Sequence, residues 1–248
     1  MNAFRALLLG VLAYGVFLVA TAPASVAASR VAAATQGQVR LSEVTGTVWR
    51  GVARVDVVSP GLVFTVDEVR WRFLPSRLFT GRLAFAVEAR LASLRGRAEA
   101  ARSPLAWHLR DLDVRGDASA ITAILPLASA WQPAGAVAID AQALSWDGTR
   151  ATGSATIAWN DAMLALSQAR PLGSWRAQAT AEAAALEIAV ATTKGPLRLS
   201  GTGTLPIPGR LAFSGEARAE PGRERELEPL LDLLGPRRAD GARALELR

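Results

Sequence analysis

Apolar and polar residues alternate along most of this chain. In LAFAVEARLAS, Leu83, Phe85, Val87, Ala89 and Leu91 share one face. In VRWRF, Val69, Trp71 and Phe73 point one way, and Arg70 and Arg72 the other. VAID, SATIAW, LEIAVAT and LRLSGTGTL continue the habit. Period two is the signature of half-buried strands. Glycine or proline interrupts nearly every run, at Pro60-Gly61, Pro75, Gly81, Gly96, Gly116, Gly135, Gly148, Gly153, Gly173, Gly195-Pro196, Pro208-Gly209 and Gly215. Breaks roughly ten to fifteen residues apart predict hairpins of an antiparallel sheet, not βαβ units. One face of each run is apolar, and a sheet with one dry face must cover it by curling, pairing or accepting helices. The predicted fold is therefore mainly β, a curved antiparallel sheet in the form of a half-barrel or wrapped sheet.

Helical spacing occurs in two places within the β pattern. Ala118 to Trp131 carries Ile121, Ile124 and Leu125 at helical intervals, with Pro126 limiting its length. Glu224 to Leu234 has acids in its first turn and Gly235 then Pro236 at its end. Both are expected as short helices at the ends or edges of the sheet.

The N-terminus follows a different pattern. From Ala6 to Ser29 no side chain is charged, and Leu7, Leu8, Leu9, Val11, Leu12, Tyr14, Val16, Phe17, Leu18 and Val19 form a nearly continuous apolar run after Arg5. Residues 6–22 would span roughly 25 Å as a helix, near the lower limit for a bilayer core. Two readings stand. A retained transmembrane anchor would hold this segment in the membrane, whereas a cleaved signal peptide would use the small-residue exits at Ala22–Ala24 or Ser25–Ala27. Either reading exports the bulk of the chain and leaves the short N-terminus in the cytoplasm. The expected organisation is residues 1–29 as start and anchor, and 30–248 as a periplasmic β-rich domain.

Composition narrows the chemistry. The 248 residues contain no cysteine, which removes disulfides and thiolate metal sites. The net charge is +6, its basic side almost wholly arginine, scattered among acids with no run of five or more like charges. Nucleic-acid binding requires a concentrated basic footprint, so none is expected. His108 is the single histidine and lies in a predicted strand between Trp107 and Leu109. Asp111 and Asp113, two residues apart on a strand, are the one carboxylate pair with a spacing of interest, and their arginine neighbours read as a solvated charged edge. SGTGTL, residues 200–205, lacks the lysine of a phosphate loop. Neither a catalytic set nor a metal or cofactor site is expected, and no small-molecule substrate is evident.

Seven tryptophans stand beside a single tyrosine. The first of them lies in GTVWRG, residues 46–51, between two glycines. Strict alternation puts Val44, Gly46 and Val48 on one side and Thr45, Thr47 and Trp49 on the other, unless a bulge resets the register. Burial of Trp49 is the expectation.

In order along the chain, three sets of motifs resemble the type II secretion system (general secretion pathway) protein N family. The first is the apolar N-terminal segment followed by LSEVTGTVWRG, with Gly46, Trp49 and Gly51. The second is VDEVRWRFLPSRLFTGRLAF, whose Trp71, Pro75, Leu78 and Gly81 match the family's W-x-x-x-P-x-x-L-x-x-G. The third comprises ALSWDGTRATGSATIAW, with Trp146 and Gly153, and a tail with Gly195 and Gly201. The resemblance implies a non-enzymatic accessory component of the secretion machinery, held in the bacterial inner membrane by one N-terminal helix and working with other secretion subunits. Its motif residues are structural. A periplasmic lipid-handling β module is the alternative, since an apolar sheet face could shelter acyl chains.

Overall fold

The computed structural model describes residues 2–59, 62–207, 209–238 and 240–247. The turns read at Pro60-Gly61 and at Pro208 lie outside the described residues. Among the described residues thirteen strands form one antiparallel sheet in which every strand pairs with its neighbours in sequence. They are β1 (Val39–Gly46), β2 (Arg50–Ser59), β3 (Leu62–Phe73), β4 (Leu83–Leu91), β5 (Leu94–Arg102), β6 (Trp107–Asp117), β7 (Ala134–Trp146), β8 (Ala151–Met163), β9 (Gly173–Ala183), β10 (Ala185–Lys194), β11 (Leu197–Pro206), β12 (Ala212–Ala219) and β13 (Arg243–Leu247). β1 and β13 do not pair with each other, so the sheet is open.

Alternation in the sequence becomes two continuous faces because the register keeps parity from strand to strand. Val69, Ala89, Gly96, Val114, Ile139, Ile157, Ala177 and Val190 lie opposite one another in a row across β3 to β10. One residue along, Arg70, Glu88, Arg97, Asp113, Asp140, Thr156 and Gln178 form the matching polar row. Cross-strand ion pairs lace the polar face, with Arg97 on Asp113 at 3.0 Å and Arg90 on Glu68 at 3.1 Å. Asp113 and Asp140 face each other directly, a repulsive pairing relieved by Arg115, which contacts both.

This parity is held by bulges. Glu43, Asp111 and Asp161 adopt φ of +53°, +50° and +48° at or beside register shifts in β1, β6 and β8. An extra residue at each point returns the following side chains to the correct face. Around Asp111, Leu109 pairs with Ala100 and Val114 with Gly96, so both stay on the apolar side although five residues separate them.

Among the described residues four α-helices flank the sheet: α1 (Asn2–Ala20), α2 (Ala24–Ala34), α3 (Ile121–Ile124) and α4 (Glu224–Leu234). α2 lies along β1 and shields that edge strand. The stretch expected to be helical after β6 is a 3₁₀ turn (Ala118–Ala120), α3, and a second 3₁₀ turn opening at Pro126. Pro126 cuts it short as its missing N–H requires. α3 reaches back to β3, three strands away, a span of roughly 14 Å at the usual strand spacing. α4 has the bounds expected from its acids and its Gly235 stop.

The domain boundary drawn between residues 29 and 30 falls inside α2. The membrane-crossing helix expected over 6–22 is met only in its helical form. Among the described residues no helix is long and apolar enough to cross a membrane.

The densest packing is at one end of the C-terminal half. Leu227, Leu230 and Leu231, spaced i, i+3, i+4 on α4, press on Leu172, Trp175, Leu197, Ala217 and Ala219. Trp159 and Trp175 meet edge-to-face with ring centroids 5.4 Å apart, and the Trp175 indole donates to the Leu197 carbonyl. Arg243 holds Asp232 of α4 in an ion pair. At the same end, Asp117 fastens the connection that carries α3: its carboxylate accepts from the amides of Ser119, at 2.9 Å, and Gly135, at 3.2 Å.

Leu227→Ala should lower the unfolding free energy by about 2–5 kcal/mol, because Leu227 is fully enclosed and its neighbours are fixed by the sheet. Urea unfolding followed by tryptophan fluorescence reads this. The Ser119 hydroxyl and amide, then the Gly135 amide, hold the Asp117 carboxyl below its ordinary value. A depressed carboxylate adds stability that is complete above its unfolded pKa of about 4 and is lost as pH falls through the lower folded value. Asp117→Asn should therefore lower the melting temperature at pH 7 and flatten its decline in acid. An unchanged acid limb would remove Asp117 from this role.

Candidate functional site

The antiparallel order sends the connections alternately to the two ends of the sheet. Those after β2, β4, β6, β8, β10 and β12 lie at the end with α3 and α4. Those after β1, β3, β5, β7, β9 and β11 lie at the other end, and there α1 joins the sheet.

That junction is the GTVWRG hairpin. β1 ends at Gly46, which pairs with Gly51 at the start of β2. Thr47 to Arg50 form the turn between them, the two residues exchanging backbone hydrogen bonds of 2.8 and 3.2 Å. Gly46 has φ +92°, and a Cβ there would lie 2.4 Å from the Arg50 carbonyl oxygen. At Gly51 a Cβ would meet the Trp71 ring at 2.4 Å. The glycines are thus required by the close approach of two backbones under an aromatic ring. The Trp71 indole closes over the turn and donates to the Val48 carbonyl at 3.1 Å.

The same turn grips the end of α1. The Trp49 indole donates to the Val19 carbonyl at 2.7 Å, satisfying an acceptor left open at the helix C-terminus. The Val48 amide donates to the Ala22 carbonyl at 3.0 Å, and Pro23 bridges to Thr47. Trp49 is half-buried, not fully buried as expected, with its ring 4.9 Å from that of Phe73. Alternation stops at Gly46, so strand parity does not decide which way Trp49 points. Above this contact, Leu7, Leu8, Leu9, Val11, Leu12, Tyr14, Val16, Phe17, Leu18 and Val19 are exposed around the whole circumference of α1. An apolar cleft of about 740 Å³ lies between α1 and the rings of Trp49 and Phe73.

The remaining motif residues shape other connections. Pro75 opens a 3₁₀ turn (Pro75–Thr80), and Gly81 closes it at φ +69°. There the amides of Gly81 and Arg82 bond back to the carbonyls of Leu78 and Arg77, a Schellman-type ending. Leu78 projects into solvent from this turn. Trp146 is exposed at the end of β7, opposite Trp107. Gly153, Gly195 and Gly201 are points of close backbone approach, to Ala143, Gly173 and Gly215 respectively.

The residues weighed for chemistry are engaged otherwise. Half-exposed His108 contacts the Ser103 hydroxyl at 3.2 Å, and burial, then Arg82 and Arg110, push its pKa down. Asp113 is held by Arg97 and Arg115, and Asp111 sits on the bulge of β6. Among the described residues no group of three or more histidines and acids could hold a metal ion. The contact missed by sequence reasoning is Trp49 with Val19, thirty positions apart.

The architecture is an open β meander joined at one hairpin to an apolar helix. A family model described as type II secretion system (T2SS), protein N, matches residues 37–246. The chain belongs to that family. Searches of curated proteins and of solved structures returned no match. Membership implies a type II secretion component that works with other subunits of the system in the cell envelope.

Gly51→Ala should destabilise the protein by about 1–3 kcal/mol by displacing the Trp71 ring. Gly10→Ala, where nothing lies within 4 Å, should not. Comparison of the two melting temperatures checks this.

Proposed function

We propose that this protein is a non-enzymatic accessory component of the type II machinery, supporting export of folded proteins across the outer membrane. α1 anchors it in the inner membrane in a single pass, with a cytoplasmic N-terminus and a periplasmic sheet domain. The observation carrying this reading is the grip of Thr47, Val48 and Trp49 on the exit of a helix whose apolar side chains otherwise have no protein cover. The whole of α1, 19 residues, would span roughly 28 Å. The small-residue exits that a signal peptidase would use are built into the fold, since Ala22 is bonded to Val48 and Ala24 is buried in α2. This supports retention of the helix. The motif glycines and tryptophans act structurally, holding the hairpin and connections in shape.

The test is affinity purification of the tagged full chain from membranes. The expected result is an intact mass that includes α1, resistance to carbonate extraction and co-purification of other secretion subunits. A mature protein beginning near residue 25 or 28 would overturn the anchor. Purification without secretion subunits, together with unchanged exoprotein secretion after deletion, would overturn the machine role.

A second reading, a lipid-handling module, draws support from the cleft beside α1 and from Ile157, exposed on the apolar face. Native mass spectrometry after gentle extraction distinguishes it: bound lipid that survives Phe73→Asp would count against the cleft.

A further inference from the structure

The end of the sheet where α1 joins carries large apolar side chains on three successive connections. The turn between β3 and β4 presents Leu78 and Phe79, the latter 95% exposed. The turn between β5 and β6 presents Leu105, 82% exposed, and β6 starts with exposed Trp107. β7 ends with exposed Trp146. These are one patch, because Leu83, Arg102, Trp107 and Trp146 lie opposite one another across β4 to β7.

We infer that this rim lies on the lipid surface of the membrane that holds α1, so that the domain rests on the bilayer at its hairpin end. The inference depends on the anchor reading above. Three observations carry it.

First is placement. The three connections follow directly on the hairpin that grips α1, whereas the connections after β9 and β11, farther along the same end, carry no exposed large apolar residue among the described residues. Second is chemistry. Tryptophan, phenylalanine and leucine beside arginine match an interface where rings sit at headgroup level and cations meet phosphate. Third is charge. Among the described residues, Arg50, Arg72, Arg82 and Arg102 at this end form no ion pair. Arg102 instead stacks over the Trp107 ring at 4.9 Å. Farther from this end on the polar face, Arg90, Arg97 and Arg115 are paired with acids while Arg95, among the described residues, is not, and on the rim Arg77 is paired with Glu99. The opposite end also exposes apolar residues, among them Val63, Leu127, Trp131 and Leu233, but α1 does not join the sheet there and the length of a strand separates that end from it.

The lack of cysteine permits a clean test. Leu105→Cys, Leu127→Cys and Leu12→Cys, each in the full chain, are labelled with an environment-sensitive fluorophore. Each is reconstituted into vesicles of phosphatidylethanolamine and phosphatidylglycerol containing spin-labelled lipid. Quenching at position 105 is expected to exceed that at 127 by at least about twofold, with a preference for shallow over deep labels. Equal quenching at 105 and 127 would overturn the rim contact, even with position 12 strongly quenched and the anchor upheld. Quenching at 105 without quenching at 12 would overturn the anchor and leave the rim as a contact in its own right.

Discussion

Thirteen strands share one apolar face, and a slip of one residue in any pairing would turn every side chain beyond it to the wrong side. The rest of the structure depends on that constraint. The sheet is an unbroken meander, so each register is inherited from the strand before it. Errors would accumulate, and the bulges at Glu43, Asp111 and Asp161 act against that by absorbing surplus residues between correctly facing segments. Short polar or acidic residues suit these points, since their side chains tolerate left-handed backbone and remain in solvent.

Aromatic rings over glycines do related work at strand ends and within strands. Trp71 covers Gly51, Trp159 lies against Gly135, and Phe213 packs over Gly201 and Gly215. In each case the missing Cβ lets the ring sit directly on backbone. Both indoles also satisfy a nearby carbonyl, Trp71 that of Val48 in the turn and Trp159 that of Ala134 at the start of β7. For Trp71 and Trp159 the choice of tryptophan therefore has a packing explanation: a large flat ring with one donor can both cover a glycine and satisfy a nearby carbonyl.

The strands and α4 were legible in the sequence because their determinants are local. Alternation set the faces of β3 and β4, and the acids and Gly235 marked the ends of α4. The bulges were not legible, since an extra residue is defined only against a partner strand. Asp111 and Asp113 therefore read as a simple i, i+2 pair. The direction of Trp49 was hidden for a similar reason. The chain leaves strand geometry at Gly46, and the ring is then placed by Phe73 and by Val19, neither of them close in sequence. The family pattern marked the right segments without revealing that Trp71 and Gly51 form one contact.

The alternation of connections has a mechanical consequence. The hairpin end and the end bearing α3 and α4 are separated by the strands themselves, and β7 and β8, at 13 residues each, set that distance at roughly 40 Å. The domain is thus a spacer of fixed height. Its length is quantised: outside a bulge, strands can be lengthened or trimmed by two residues with both faces intact, but not by one. The helices at the far end stand off from the hairpin by a distance written into strand length rather than into a flexible linker.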